Sequence, residues 1–163
     1  MSHLKNQEGF HRAFEQPVKS QPELPEPTIA GVEARTSLIA VEMKIRDAIK
    51  TLAKEPGRRA LRLSLLLEEV GELLTAERRD SLVGIADALA DIEVIADGTA
   101  LEYGIPLDAV REEVHRANMS KLGNDGRPIY REDGKVMKGP RYAPPDVEGV
   151  LLAHGYIRMG YAA

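Results

Sequence analysis

The chain has 163 residues, with no Cys, no Trp, 2 Phe and 5 Tyr, and carries a net charge of −4. This is the size of one ordinary domain, without the thiols for disulfides, thiolate metal sites or a Cys nucleophile, and it suits a reducing cytoplasmic setting. The charge excludes a broad basic footprint for nucleic acid, and no apolar run of about 18 residues is present to cross a membrane.

Residues 1–13 read as a short helix around Phe10 and Phe14, preceded by no basic-then-apolar pattern of a secretory signal. Prolines at 17, 22, 25 and 27 then predict an extended linker, because each fixes its own φ and biases its predecessor away from helix. Residues 1–27 are accordingly set apart from a main domain at 28–163. Thr28 is a candidate N-cap for a long helix over residues 29–54, with Leu38, Val41, Ile45, Ala48, Ile49 and Leu52 at helical spacing. Pro56-Gly57 ends it. Further helices are predicted over 58–79 and 82–103, the latter stopped by Gly104, and over 106–122, started by Pro106 and ended by Gly123. A Gly- and Pro-rich tail follows, with room for a small hairpin near 129–137 and a short closing helix after Pro145-Asp146. With an aromatic content of 4% the core falls to Leu, Ile, Val, Ala and Met. The expected class is therefore all-α: a four-to-five-helix bundle with a Pro-rich N-terminal linker and a Gly-rich C-terminal tail.

Charge is unevenly spread. Residues 62–113 hold 13 acidic against 4 basic side chains, net −9, whereas residues 121–141 hold 6 basic against 3 acidic, net +3. Within the acidic half, the helix over 58–79 has one stripe of Leu63, Leu66, Leu67, Val70, Leu73 and Leu74. A second line reads Leu61, Leu65, Glu69, Glu72 and Ala76, with Glu68 beside it. The following helix repeats the design: Val83, Asp87, Asp91 and Val94 share a line that is apolar at both ends and acidic in the middle. The short Asp80-Ser81 connection makes the two helices antiparallel neighbours. Carboxylates so gathered repel and desolvate one another unless they face water or a hard cation neutralises them. Mg²⁺ suits carboxylate oxygens and phosphates. A di-iron bundle would want Glu-x-x-His, and neither helix has a His.

The pattern Glu68-Glu69-x-x-Glu72, followed by Asp87-Ala-Leu-Ala-Asp91, resembles the MazG-like all-α nucleoside triphosphate pyrophosphohydrolase superfamily, which includes phosphoribosyl-ATP pyrophosphohydrolases and all-α dUTPases. Glu113-Val-His-Arg-Ala-Asn-Met-Ser-Lys121, Asp133-Gly-Lys-Val-Met-Lys-Gly-Pro140 and Pro144-Pro-Asp-Val strengthen the likeness to its single-domain, phage-type members. The third helix departs from the family's Glu-x-x-Asp: Ala88 stands where Glu is expected, and Asp87 lies one residue earlier.

The resemblance implies a Mg²⁺-dependent enzyme (Mn²⁺ able to substitute) that converts a (deoxy)nucleoside triphosphate and water to the monophosphate and pyrophosphate, with dUTP, dCTP and dGTP equally open as substrates. Glu69, Glu72 and Asp91 would be the principal ligands and Asp87 a further one, through water. Glu68 would be a ligand or the base that takes the water's proton. Asn118, Lys121, Lys135, Lys138 and Arg141 would bind the substrate's phosphates and sugar. A homodimer or homotetramer in the cytoplasm (of the host, if phage-encoded) is expected, with no nucleic acid or membrane partner. The competing reading is a catalytically inactive relative that binds nucleotides or a partner.

Overall fold

The computed structural model describes residues 3–25, 29 and 31–157. Six α-helices account for the regular structure of these residues: α1 (His3–Ala13), α2 (Val32–Leu52), α3 (Arg58–Arg78), α4 (Leu82–Tyr103), α5 (Leu107–Met119) and α6 (Val147–Ala153). Among the described residues the only β pairing is one isolated antiparallel bridge, Tyr130 to Val136, within the expected hairpin. The all-α class is as the composition indicates. The candidate cap Thr28 lies outside the described residues, and Gly31 occupies the N-cap position of α2.

The chain divides into two compact units, one of residues 21–103 and one of residues 1–20 with 104–163. In the first, α3 is the central element, packed on α2 and most extensively on α4. Small residues allow the close approach. Ala76 of α3 and Ala88 and Ala100 of α4 are buried, and a side chain on Gly71 would touch Ile45 of α2 at 3.5 Å. The α3–α4 turn is set by Asp80, whose φ of 52° is a left-handed conformation that a short polar side chain tolerates. Ser81 then caps α4 by accepting a hydrogen bond from the Gly84 N–H at 3.2 Å.

Two ionic clamps hold the three helices. Arg62 of α3 donates to Thr99 Oγ1 at 3.0 Å and to the Ile95 carbonyl of α4. Arg78 of α3 donates to Glu42 of α2, with Nε to Oε1 at 3.0 Å. Glu42 is 5% exposed. Its carboxyl is held below the ordinary carboxylate range, first by the hydrogen bond from Arg78 and against the opposing effect of burial.

In the second unit α5 packs on α1 and on α6. Phe14 is fully buried, its ring 4.3 Å from that of Phe10. The Tyr130 hydroxyl donates to the Phe14 carbonyl and accepts from Gln16 Nε2 at 2.8 Å, so the N-terminal segment and the hairpin are joined. Arg116 of α5 holds Glu113 through two hydrogen bonds of 2.8 Å, and Glu113 in turn accepts the Asp146 N–H at 2.7 Å. These bonds pull the Glu113 carboxyl down to about 2.

Candidate active site

The five carboxylates that the sequence singles out all lie on α3 and α4 of the α2–α4 unit. Glu69 is half-buried on α3, while Glu68, Glu72, Asp87 and Asp91 are exposed around it. The Glu69 carboxyl is pushed above its ordinary value, by burial first and then by the negative charges of Glu72, Asp91, Glu68 and Asp87. The other four are thus near enough for their charge to act on Glu69. Among the described residues, none of the five makes a hydrogen bond or ion pair that would offset it.

The donor set suits a hard cation, being oxygen throughout and in need of positive charge. As they stand, no three of the carboxylates are gathered closely enough to chelate one ion, among the described residues. The four exposed side chains have no partners to break before they converge on one.

Glu68, Glu72 and Asp87 also line a cavity of about 440 Å³, whose other walls are Gly71, Thr75 and Ala76 of α3, Ser81 and Gly84 at the start of α4, and Glu42, Arg46 and Ile49 of α2. Glu69 and Asp91 are outside this lining. Position 88, where the family pattern leads one to expect Glu, faces the helix contact: Ala88 is 2% exposed, and it is the neighbouring Asp87 that reaches the cavity. The apolar residues that continue the acidic line of α4 are open in the single chain, with Val83 82% and Val94 65% exposed.

The basic candidates all lie in the second unit. Lys121 Nζ donates to Asn118 Oδ1 at 2.8 Å near the end of α5. Lys138 Nζ sits 4.5 Å from the centre of the Tyr142 ring. Arg141 donates to the Gly123 carbonyl at 3.4 Å, and Lys135 is exposed in the turn of the hairpin. Gly139 fastens this tail to α5, its N–H donating to the Lys121 carbonyl at 2.9 Å. A side chain there would run into the carbonyls of Lys121 and Leu122.

Two cavity residues, Glu42 and Arg46, were not among the sequence candidates. They sit four apart on α2, on the side that also carries Ile45 and Ile49. Charges that interrupt an apolar face were the available signal.

The comparisons with known proteins bear on the same helices. The family model for phosphoribosyl-ATP pyrophosphohydrolase matches residues 44–118, from the middle of α2 through α5. The crystal structure of a candidate NTP pyrophosphohydrolase from Exiguobacterium sp. 255-15 is similar, with a TM-score of 0.59 and 26% identity over 94% of this chain and 96% of that one. Uncharacterized protein L479 of Acanthamoeba polyphaga mimivirus is 33% identical over 89 residues. That match takes in 55% of this chain but only 33% of the viral protein, so the chain spans about a third of that relative's length. Residues 44–118, a little under half of the chain, are thus similar to phosphoribosyl-ATP pyrophosphohydrolase, and the fold is similar to that of the Exiguobacterium structure.

Proposed function

We propose that the chain is a divalent-metal-dependent pyrophosphohydrolase that splits a (deoxy)nucleoside triphosphate between its α- and β-phosphates, releasing the monophosphate and pyrophosphate. One observation carries this reading: four carboxylates from α3 and α4, without partners among the described residues, press on the half-buried Glu69. Water relieves the four exposed carboxylates, but the half-buried Glu69 is better relieved by a hard cation.

Glu69, Glu72 and Asp91 would hold Mg²⁺ or Mn²⁺, with Asp87 joining through water because its side chain is one methylene shorter than Glu. A bound ion would polarise the phosphate oxygens and lower the pKa of a coordinated water. Glu68 completes the ligand set or accepts the proton that this water gives up as it attacks the α-phosphorus. Asn118, Lys121, Lys135, Lys138 and Arg141 supply hydrogen-bond donors and positive charge for the anionic substrate and product. The exposed apolar residues of the α2–α4 unit, among them Met43, Leu63, Val83, Val94 and Leu101, support a homodimer or homotetramer. The substrate is dUTP, dCTP or dGTP.

The test is a panel of dNTPs with Mg²⁺ or Mn²⁺, scored for monophosphate and pyrophosphate. Wild type should release both from at least one dNTP. Glu69→Ala and Asp91→Ala should lose more than about 100-fold in rate, beyond the usual cost of changing a supporting residue around a metal, with helical circular dichroism unchanged. Full activity in either variant would sink the assignment. Nucleotide binding without hydrolysis of any dNTP would instead identify an inactive relative.

A further inference from the structure

The cavity holds one guanidinium that no carboxylate has claimed. Of its lining residues Arg46 is the sole cation. Elsewhere in the unit Arg35 is engaged with Asp80, Arg58 and Arg62 with Glu102, and Arg78 with Glu42. Arg46 makes no hydrogen bond or ion pair among the described residues. It acts on Glu42 only at a distance, and that carboxylate is already held by Arg78.

The helix register fixes what Arg46 faces. Glu42 meets Arg78, and Ile45 lies against Gly71, so α2 and α3 run antiparallel. Arg46, one residue beyond Ile45, therefore stands at the level of Val70 and Gly71, within the stretch of α3 that carries Glu68, Glu69 and Glu72. The cavity separates it from the carboxylate wall formed by Glu68, Glu72 and Asp87. Its volume of about 440 Å³ is within the range of small-molecule sites.

We propose that Arg46 binds the phosphate chain of the substrate from the α2 side of the cavity, opposite the carboxylates. The assignment rests on the pyrophosphohydrolase reading above. A triphosphate in the cavity presents oxygens on both sides. The carboxylate wall cannot touch them without a cation between, whereas a guanidinium matches two phosphate oxygens directly through its planar fork. The exposed Arg46 side chain reaches them without breaking any existing bond. α2 thereby becomes part of the substrate site and more than a scaffold for α3.

The experiment uses the full chain, its Arg46→Gln and Arg46→Lys variants, and two probes. Mg²⁺ with inorganic tripolyphosphate is titrated calorimetrically, and the best dNTP is followed at steady state. Arg46→Gln should weaken tripolyphosphate binding by about 10-fold or more, the worth of one charged bidentate contact. It should raise KM by a similar factor with a smaller change in kcat, and Arg46→Lys should recover part of both. Mg²⁺ alone should bind Arg46→Gln no more weakly than wild type.

Unchanged tripolyphosphate affinity in Arg46→Gln would overturn the proposal, as would a loss seen only with dNTPs, which would indicate a contact to the base. Failure of wild type to bind tripolyphosphate would overturn it too. If wild type binds tripolyphosphate through Arg46 but hydrolyses no dNTP, the catalytic reading falls and the Arg46 assignment stands.

Discussion

Replacing Arg78 by Met tests the central packing of the α2–α4 unit. The change keeps most of the side chain's apolar length and removes its charge, leaving Glu42 buried and without its main partner. Breaking a buried ion pair from one side costs about 3–5 kcal/mol, chiefly because the remaining charge is stranded. Arg78 is itself 25% exposed at its side chain, so water reaches one face of the pair and the lower end applies, about 3 kcal/mol. For a chain of this size that corresponds to a fall in Tm of roughly 6–12 °C by circular dichroism, matched by a lower urea midpoint. The pH dependence provides an independent check. In wild type the Glu42 carboxyl lies below its ordinary value of 4.5, so its contribution is full above that value and is lost as pH falls through the lower folded one. In Arg78→Met burial is opposed only by the lesser effects of Thr75 and Arg46, so the carboxyl rises and the variant's deficit narrows on acidification. The paired change Glu42→Met with Arg78→Met should recover most of the loss, since a well-packed apolar pair replaces a buried ionic one at little cost. A loss below about 1 kcal/mol in the single variant, or no recovery in the double, would refute the account.

Gly139→Ala should destabilise the second unit by about 1–3 kcal/mol, because its Cβ would overlap the backbone carbonyls of Lys121 and Leu122. Faster amide hydrogen exchange over residues 121–143 would report it, and wild-type protection there would contradict it. Glu113, held at about 2 against an ordinary 4.5, stabilises the fold fully above pH 4.5 and loses that contribution as pH falls toward 2. A Glu113→Gln variant should therefore be less stable than wild type at pH 7, with the difference closing in that window. A difference independent of pH would contradict the role given to its bonds with Arg116 and Asp146.

Helix positions were legible in the sequence because they are written in local signals. The α4 bounds of 82 and 103 follow from Ser81 before it and Gly104 after it, and α3 runs one residue shorter than its periodicity suggests. The carboxylate group was legible for a related reason: two helices joined by a two-residue turn have only one way to pack, which brings Glu69 near Asp91. The surroundings of the site were not legible. Whether Val83 and Val94 are covered depends on what lies against α4, and the buried position of Ala88 depends on the helix contact. The cavity itself depends on how α2 lies along α3, through pairs such as Glu42 with Arg78 and Ile45 with Gly71. No local pattern names those partners, so α2 could be drawn as a helix without a role.

The repulsion around Glu69 has a consequence for anyone who tries to stabilise this protein. A carboxyl held above its ordinary value by burial and by its neighbours' charge is a standing penalty on the folded chain at neutral pH, and it disappears on protonation. Neutral substitutions at Glu68, Glu69, Glu72, Asp87 or Asp91 would each relieve part of it. A screen that rewards heat resistance alone would collect those variants first and discard the affinity for cations on which the proposed chemistry depends. Thermal selection should be run with the ligand present, so that tenacity and activity are scored together.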